Sequence, residues 1–324
     1  MRRLCPATAA LAAVLCVATN CSAQINVPPE TRNAALRYWM AMGDLQDPPA
    51  DKETQELLEK TAAGQTSWNE PKLGPILDAN TRAIQEMQRA TKLPDCDWGL
   101  EYSRGPGASI SYLTRARVLA RLNTLYGMRL MAKGETQDAV DAWLDGVRFS
   151  QDLAKGGTLI FKLVARTALL SDFQAMTDAA EAGSLSRKQK AEIAAAVRLL
   201  PPDAFDWSEA LGLEEATFEA FVGEIRAAKN AAQAFQEITD EPWPGKYVLP
   251  SQKEILAYRS LVVEAQGALR LPPPDARAHL DQLQMRIAQF SPFFQRGIPS
   301  TVKINEARAE VETSYASLLK ALGS

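Results

Sequence analysis

The side chains best suited to chemistry lie in one short stretch, residues 93–108, which contains Asp95, Asp97 and Glu101. Carboxylates in an irregular loop can converge on one point, where they could bind a calcium ion or act as an acid–base pair. The stretch lacks the third ligand position and the closing bidentate glutamate of a helix–loop–helix calcium site. Asp95, Asp97 and Glu101 are therefore weak candidates for a metal site or for hydrolysis. The sequence assigns no catalytic residue and no cofactor.

The same stretch has a structural interpretation, which the sequence favours. We expect Trp98 to anchor the loop in the core and Gly99 to provide a backbone angle that other residues rarely adopt. The acids would then form ion pairs with arginines of the following helix. The arginines available for this pairing are Arg115, Arg117 and Arg121.

The remaining reactive side chains exclude several enzyme classes. His279 is the only histidine, so sites that need two histidines, such as the HExxH zinc site, are excluded. No nucleophile motif lies near His279, and we interpret it as a solvated helix residue. Cys96 fits a small apolar side chain better than a nucleophile. Residues 105–107, Gly-Pro-Gly, lack the lysine and the preceding strand of a phosphate-binding loop.

Residues 1–23 predict a cleavable export signal. The chain starts with a methionine and two arginines, continues with an apolar run and reaches small residues before Gln24, which is the pattern of a secretory leader. We therefore expect an extracytoplasmic protein, either periplasmic or secreted. Cleavage after Ala23 would remove three of the four cysteines and leave Cys96 without an intramolecular disulfide partner.

The composition is that of a globular protein and limits the kinds of partner. The 324 residues are 46% hydrophobic and carry a formal net charge of −3, which loss of the two arginines of the leader would change to −5. This acidity offers no electrostatic basis for binding nucleic acid. The most apolar segment after the leader is interrupted by Lys162, Arg166 and Asp172, so we expect no stable membrane insertion. Another protein or a peptide is the expected partner.

Helix signals recur along the whole chain, and strand signals are almost absent. We therefore predict an all-α fold, a bundle or irregular array of about ten helices. Ser186 with Gln189, and Ser251 with Glu254, have the spacing of a capping box. Residues 207–239 predict a helix that Gly212 could break.

The domain organisation follows from the same signals. After the leader, residues 24–200 form an N-terminal helical region and residues 201–324 a C-terminal one. Two prolines at 201–202 mark the boundary between them. This boundary is soft, because a single bundle is equally compatible with the sequence.

Residues 120–153 resemble a tetratricopeptide unit. Gly127 lies in the first predicted helix, Gly134 at the turn, and Ala139 and Trp143 in the second helix. Small residues let paired helices approach closely, while an aromatic side chain fills the groove between them. No second copy follows in register, and such repeats need about three neighbours to bury their faces. We therefore expect one tetratricopeptide-like hairpin within a helical bundle.

A wider resemblance rests on the leader, on Asn-Ala-Ala-Leu-Arg-Tyr-Trp-Met at residues 33–40, on Leu-Pro-Asp-Cys-Asp-Trp-Gly at residues 93–99 and on the hairpin. Over about residues 1–200 the chain looks like an uncharacterised family of exported all-helical bacterial proteins. The resemblance implies export and a helical fold. It implies no reaction and no functional residue.

Two functional hypotheses follow. The first is a non-enzymatic helical scaffold or protein-interaction module, whose grooves hold a peptide or a partner helix. The second is an exported carboxylate-dependent hydrolase, or a metal-binding protein, that uses the loop from Asp95 to Glu101. Acids engaged by arginines around a buried Trp98 favour the first hypothesis, and acids that converge on an open cleft favour the second.

Overall fold

The computed structural model describes residues 31–102, 112–243, 248–291 and 299–323, together with residues 245, 293 and 295. Within these residues the chain has twelve α-helices and no β-strand, which confirms the predicted all-α fold. The predicted leader and residues 105–107 lie outside the described residues. None of the described helices combines the length and the hydropathy needed to cross a bilayer.

The helices mostly begin at polar residues that satisfy their first backbone N–H groups. Asparagine, aspartate or serine side chains accept these bonds at most of the helix starts, as expected for N-caps. The two predicted capping boxes both form, at Ser186 and Ser251. The helices are α1 (Ala34–Asp44), α2 (Lys52–Ala62), α3 (Glu70–Ala90), α4 (Tyr112–Ala132), α5 (Thr136–Ala154), α6 (Leu159–Glu181), α7 (Arg187–Val197), α8 (Trp207–Ala227), α9 (Ala231–Thr239), α10 (Gln252–Ala268), α11 (Pro273–Ile287) and α12 (Thr301–Ala321).

Helices α4 and α5 form a hairpin that packs against α6 at the centre of the core. Gly134 turns the chain between them with a positive φ of 81°, a conformation that glycine adopts without steric cost. Gly127 faces Trp143, and a Cβ atom at position 127 would overlap the indole ring. The indole Nε1 donates to the carbonyl of Thr124 at 3.2 Å. The absence of a side chain at Gly127 therefore lets Trp143 lie between the two helices.

Residues 207–239 form two helices, and the break lies at residues 228–230 rather than near Gly212. Gly212 lies within α8, where a Cβ atom would come 2.6 Å from Nε2 of Gln266. A new helix, α9, begins directly after this break. Asn230 is its N-cap, because the Asn230 side chain accepts the backbone N–H of Gln233.

Helices on both sides of the soft boundary after residue 200 share one compact unit, Arg32–Ser324. Helix α12 packs against α6 and α11, and α8 also contacts α6. Arg308 of α12 is 2% exposed. Its guanidinium donates to the carboxylate of Asp203 at 3.0 Å, to Asn305 Oδ1 at 3.1 Å and to the carbonyl of Leu271 at 2.8 Å. Arg308 thus bonds to two connecting segments and to its own helix.

Candidate functional site

The loop at residues 93–102 is held against the start of α1. The Asn33 side chain caps α1 and also clasps the backbone of Asp97. Its Oδ1 accepts the Asp97 N–H at 2.9 Å, and its Nδ2 donates to the Asp97 carbonyl at 2.8 Å. The Asp95 N–H donates to the Arg32 carbonyl at 3.2 Å, and the Asp95 carbonyl accepts the Ala34 N–H at 2.7 Å. The loop is therefore fixed by its backbone.

The carboxylates of this loop have separate surroundings. Arg32 Nε donates to the Asp95 carboxylate at 3.2 Å in a pair whose side chains are 75% and 60% exposed. Asp97 Oδ1 accepts the Gly99 N–H at 2.9 Å and holds a turn in which Gly99 has a φ of +64°. Glu101 is exposed. Among the described residues, no three His, Cys, Asp or Glu side chains are grouped so that they could share a metal ion.

The predicted pairing of Asp95 and Asp97 with arginines of the following helix is wrong. Arg115 donates to two main-chain carbonyls at the end of α1, at 2.8 and 2.6 Å. Arg121 donates to a glutamate of α2 at 3.2 Å. Arg117 has no ion-pair partner in the part of the chain that the structure describes. The reason is that the loop doubles back to the start of α1 and meets Arg32 there.

Trp98 connects the loop to an aromatic cluster in the core. It is 6% exposed, and its indole stacks between Tyr38 and Tyr112, with ring centroids 5.7 and 5.0 Å apart. Its Nε1 donates to the main-chain carbonyl of Asp152 at 2.8 Å. A buried indole with its N–H satisfied and its faces stacked stabilises a loop strongly.

A buried carboxylate that the sequence reasoning missed lies beneath the loop. Asp152 of α5 is 0% exposed and accepts Tyr38 Oη at 2.9 Å, Arg148 Nε at 3.2 Å and Lys155 Nζ at 2.7 Å. The sequence offers no signal for this burial, because helical periodicity places Asp152 on the side of the helix away from Ala139 and Trp143. Burial, and next the charge of Asp152, raise the pKa of Cys96 to about 12. The Cys96 thiol is therefore protonated at neutral pH and is a poor nucleophile.

One face of α1 exposes large apolar side chains. Leu36 is 53% exposed, Trp39 42% and Met40 55%, and Gly43 continues the same face one turn later. We call Leu36, Trp39, Met40 and Gly43 the α1 stripe. The opposite face is buried and consists of Ala34, Ala35, Tyr38, Ala41 and Met42. A helix that is apolar on both faces is normally enclosed on both, yet the α1 stripe faces solvent.

Trp39 of the α1 stripe packs against the aromatic cluster of the core. The Trp39 ring centroid lies 4.5 Å from that of Tyr112 and 6.2 Å from that of Trp98. Arg37, within the same helix, forms an ion pair with Glu86 at 2.7 Å. This pair joins α1 to α3 and so holds the helix that carries the stripe.

Comparisons with protein-family models, with curated proteins and with solved structures find no match to this chain. The predicted resemblance to an uncharacterised exported family stays a prediction.

Proposed function

We propose that this protein is an exported, non-enzymatic helical interaction module that binds a helix of a partner protein through the α1 stripe. The exposure of Leu36, Trp39 and Met40 on a helix whose other face is in the core carries the proposal. Contiguous exposed apolar side chains mark interaction surfaces on soluble proteins. Their spacing of three and four residues is the spacing with which one helix packs against another.

The details of the stripe favour a helical partner. At Gly43 a Cβ atom would have nothing within 4 Å, so a partner backbone can approach closely there. Trp39 has few rotatable bonds, and its ring already rests against Tyr112 and Trp98. Binding therefore costs little side-chain entropy, which is the property of an interface hot spot.

Two further parts of the proposal come from the sequence. The leader pattern of residues 1–23 supports an extracytoplasmic site of action, periplasmic or secreted. The α4–α5 hairpin is proposed to be a tetratricopeptide-like unit, supported by the packing of Trp143 over Gly127. The alternative of a hydrolase or metal-binding loop has no comparable support, since Asp95 is paired on the surface and Asp97 holds a backbone turn.

Site-specific photo-crosslinking tests this proposal. A photoreactive amino acid replaces Met40 in the stripe or, as the matched control, Met285 of α11, which is 65% exposed. In a bacterium that encodes the protein, we expect a discrete adduct from position 40 and none from position 285. The adduct should weaken when Leu36→Ser is present in the same chain, because this change removes a neighbouring apolar contact.

The partner identified by mass spectrometry from that adduct is then purified and titrated against the full protein. We expect Trp39→Ala to weaken its binding by about 2 kcal/mol or more, the cost of losing a hot-spot tryptophan. The melting temperature of the variant should show that it folds. Identical adducts from positions 40 and 285, or unchanged affinity of the Trp39→Ala variant, would contradict the proposal.

A further inference from the structure

A groove between α2, α4 and α6 carries an arginine that no acid neutralises within the part of the chain that the structure describes. The groove has a cavity volume of about 280 Å³ and is lined by the end of α2 and the middle parts of α4 and α6. No residue of the α1 stripe lines it. It is therefore a separate feature of the surface.

The charged side chains of the groove leave it with a positive charge. Two arginines and one glutamate line it, which gives a net charge of +1. Arg121 donates to Glu59 at 3.2 Å and is 18% exposed, so this pair neutralises itself. Arg117 lies one helical turn earlier, is exposed, and has no ion-pair partner within the described residues.

The two arginines also repel one another. Burial lowers the pKa of Arg121 and the nearby charge of Arg117 lowers it further, against the opposing effect of Glu59. Like charges four residues apart on a helix destabilise it. An anion beside Arg117 would relieve this repulsion.

The rest of the groove is small and mostly apolar. Methyl groups of Ala62, Ala120 and Ala168 contribute to its lining, and these alanines are 4%, 4% and 7% exposed. Thr167 and Ser171 supply hydroxyl groups from α6, each bonded to a carbonyl one turn earlier. At about 280 Å³ the cavity is slightly smaller than the roughly 300–1,000 Å³ typical of ligand pockets, so it suits a small ligand with an apolar body.

We propose that this groove binds a small organic monoanion, a short-chain carboxylate whose two oxygens bond to the Arg117 guanidinium and whose hydrocarbon body lies on the alanine surface. The planar guanidinium matches a carboxylate with two parallel hydrogen bonds. A net charge of +1 suits one negative charge better than the two of a phosphate. This binding site goes beyond the proposed protein-interaction function and uses different residues.

Ligand-observed NMR on the full mature protein at low ionic strength tests the site, with butyrate, hexanoate, hexan-1-ol and inorganic phosphate as probes. We expect saturable binding of hexanoate, weaker binding of butyrate, and binding of hexan-1-ol and phosphate at least tenfold weaker than that of hexanoate. The difference in affinity between hexanoate and butyrate measures the contribution of the apolar surface. The difference between hexanoate and hexan-1-ol measures the contribution of the negative charge.

Two variants locate the binding in the groove. Arg117→Gln should weaken hexanoate binding about tenfold or more, the loss expected for a charge-assisted hydrogen-bond pair. Thr167→Phe should abolish it by filling the groove from an exposed position. The matched control is Arg187→Gln, which removes an exposed arginine outside the groove, and it should leave the affinity unchanged.

Three results would overturn the proposal. They are the absence of saturable hexanoate binding to the folded wild-type protein, equal losses for Arg117→Gln and Arg187→Gln, and phosphate or hexan-1-ol binding as tightly as hexanoate. Thermal melts of each variant show whether it is folded. If Thr167→Phe does not fold, the comparison of Arg117→Gln with Arg187→Gln still shows whether hexanoate binds in the groove.

Discussion

At the scale of single residues, Asp172 shows how the core constrains its neighbours. This carboxyl group is 1% exposed in the middle of α6, and Thr124 Oγ1 donates to it at 2.6 Å. A Cβ atom at Gly146 of α5 would overlap the Asp172 carboxyl group, so only glycine leaves room for this carboxyl group at that position. Burial raises the pKa of Asp172 well above its ordinary value, and the bond from Thr124 lowers it only in part.

Asp172→Asn should therefore stabilise the protein increasingly as the pH rises. In the unfolded chain an aspartate ionises near pH 3.9, while the folded chain still holds the proton, so wild-type stability falls with rising pH up to the folded pKa. Asparagine keeps the acceptor for Thr124 and does not titrate. Urea unfolding at pH 5, 6.5 and 8 should show the variant gaining up to about 1.4 kcal/mol per pH unit within this window.

The surface variant Asp138→Asn in the first turn of α5 is the control for that experiment, because its site is exposed. A difference between Asp172→Asn and wild type that stays constant from pH 5 to pH 8 would show that Asp172 is ionised in the folded protein.

Trp98→Ala should destabilise the fold by about 3–5 kcal/mol, the usual cost of deleting a large buried aromatic side chain. The variant loses the stacking on Tyr38 and Tyr112 and the bond to the Asp152 carbonyl. Trp98→Phe keeps a ring and loses only the N–H and some volume, so it should cost less. Chemical denaturation measures both values, and a loss below 1 kcal/mol for Trp98→Ala would contradict the role of anchor.

The residues of the loop could be found from the sequence, but their partners could not. The density of acids and the tryptophan in a stretch rich in glycine and proline identify residues 93–102 as a distinct loop. Asp95 nevertheless pairs with Arg32, 63 residues earlier. That contact depends on the path of three helices, and no local pattern contains this information. The expectation of a partner on the following helix was wrong for this reason.

At the scale of elements, helix positions were predictable because glycine, proline and capping residues are local signals. Both capping boxes form where their spacing predicts them. The break within residues 207–239 was misplaced. A glycine in a helix costs only about 1 kcal/mol, so Gly212 does not have to end α8. The space that a side chain would fill at Gly212 is occupied by Gln266, which donates to the Ser208 carbonyl.

Gly127→Ala should destabilise the α4–α5 hairpin by about 1–3 kcal/mol. The new methyl group would overlap the Trp143 indole, which is 1% exposed, and overpacking of a buried site of this kind is destabilising. Gly223→Ala in α8 is the matched control, because its Cβ atom would meet nothing within 4 Å. The control should gain about 0.5–1 kcal/mol from helix propensity. Equal effects on the midpoint of urea unfolding would contradict the close approach at Gly127.

At the scale of the whole molecule, the two halves of the chain are joined by α12. This helix packs on α6 from the first half and on α11 from the second. The sequence is equally compatible with two helical regions divided at the prolines of residues 201–202 and with a single bundle. The single unit depends on contacts such as that between Arg308 and Asp203, which are 105 residues apart. The prolines between the halves carry no information about contacts of this range.

Arg308→Ala should lower the free energy of unfolding by about 3 kcal/mol, because it leaves the partners of a buried guanidinium unsatisfied. The control is Arg286→Ala, which removes the exposed two-bond pair with Glu264 and should cost less than about 1 kcal/mol. Thermal and urea unfolding measure both. Similar losses for the two variants would show that Arg308 contributes no more than a surface ion pair.

The position of α1 in the fold also affects the newly made chain. Tyr38 of α1 bonds to Asp152, which follows it by 114 residues, and Asn33 clasps Asp97, which follows it by 64. Protein synthesis at about 5–20 residues per second makes the interval between Tyr38 and Asp152 on the order of 10 seconds. Throughout that interval the buried face of α1 lacks the part of its covering that α5 supplies. The apolar side chains of α1 therefore stay partly exposed on the nascent chain until α5 has been made, and such exposed apolar surface makes a chain prone to aggregate.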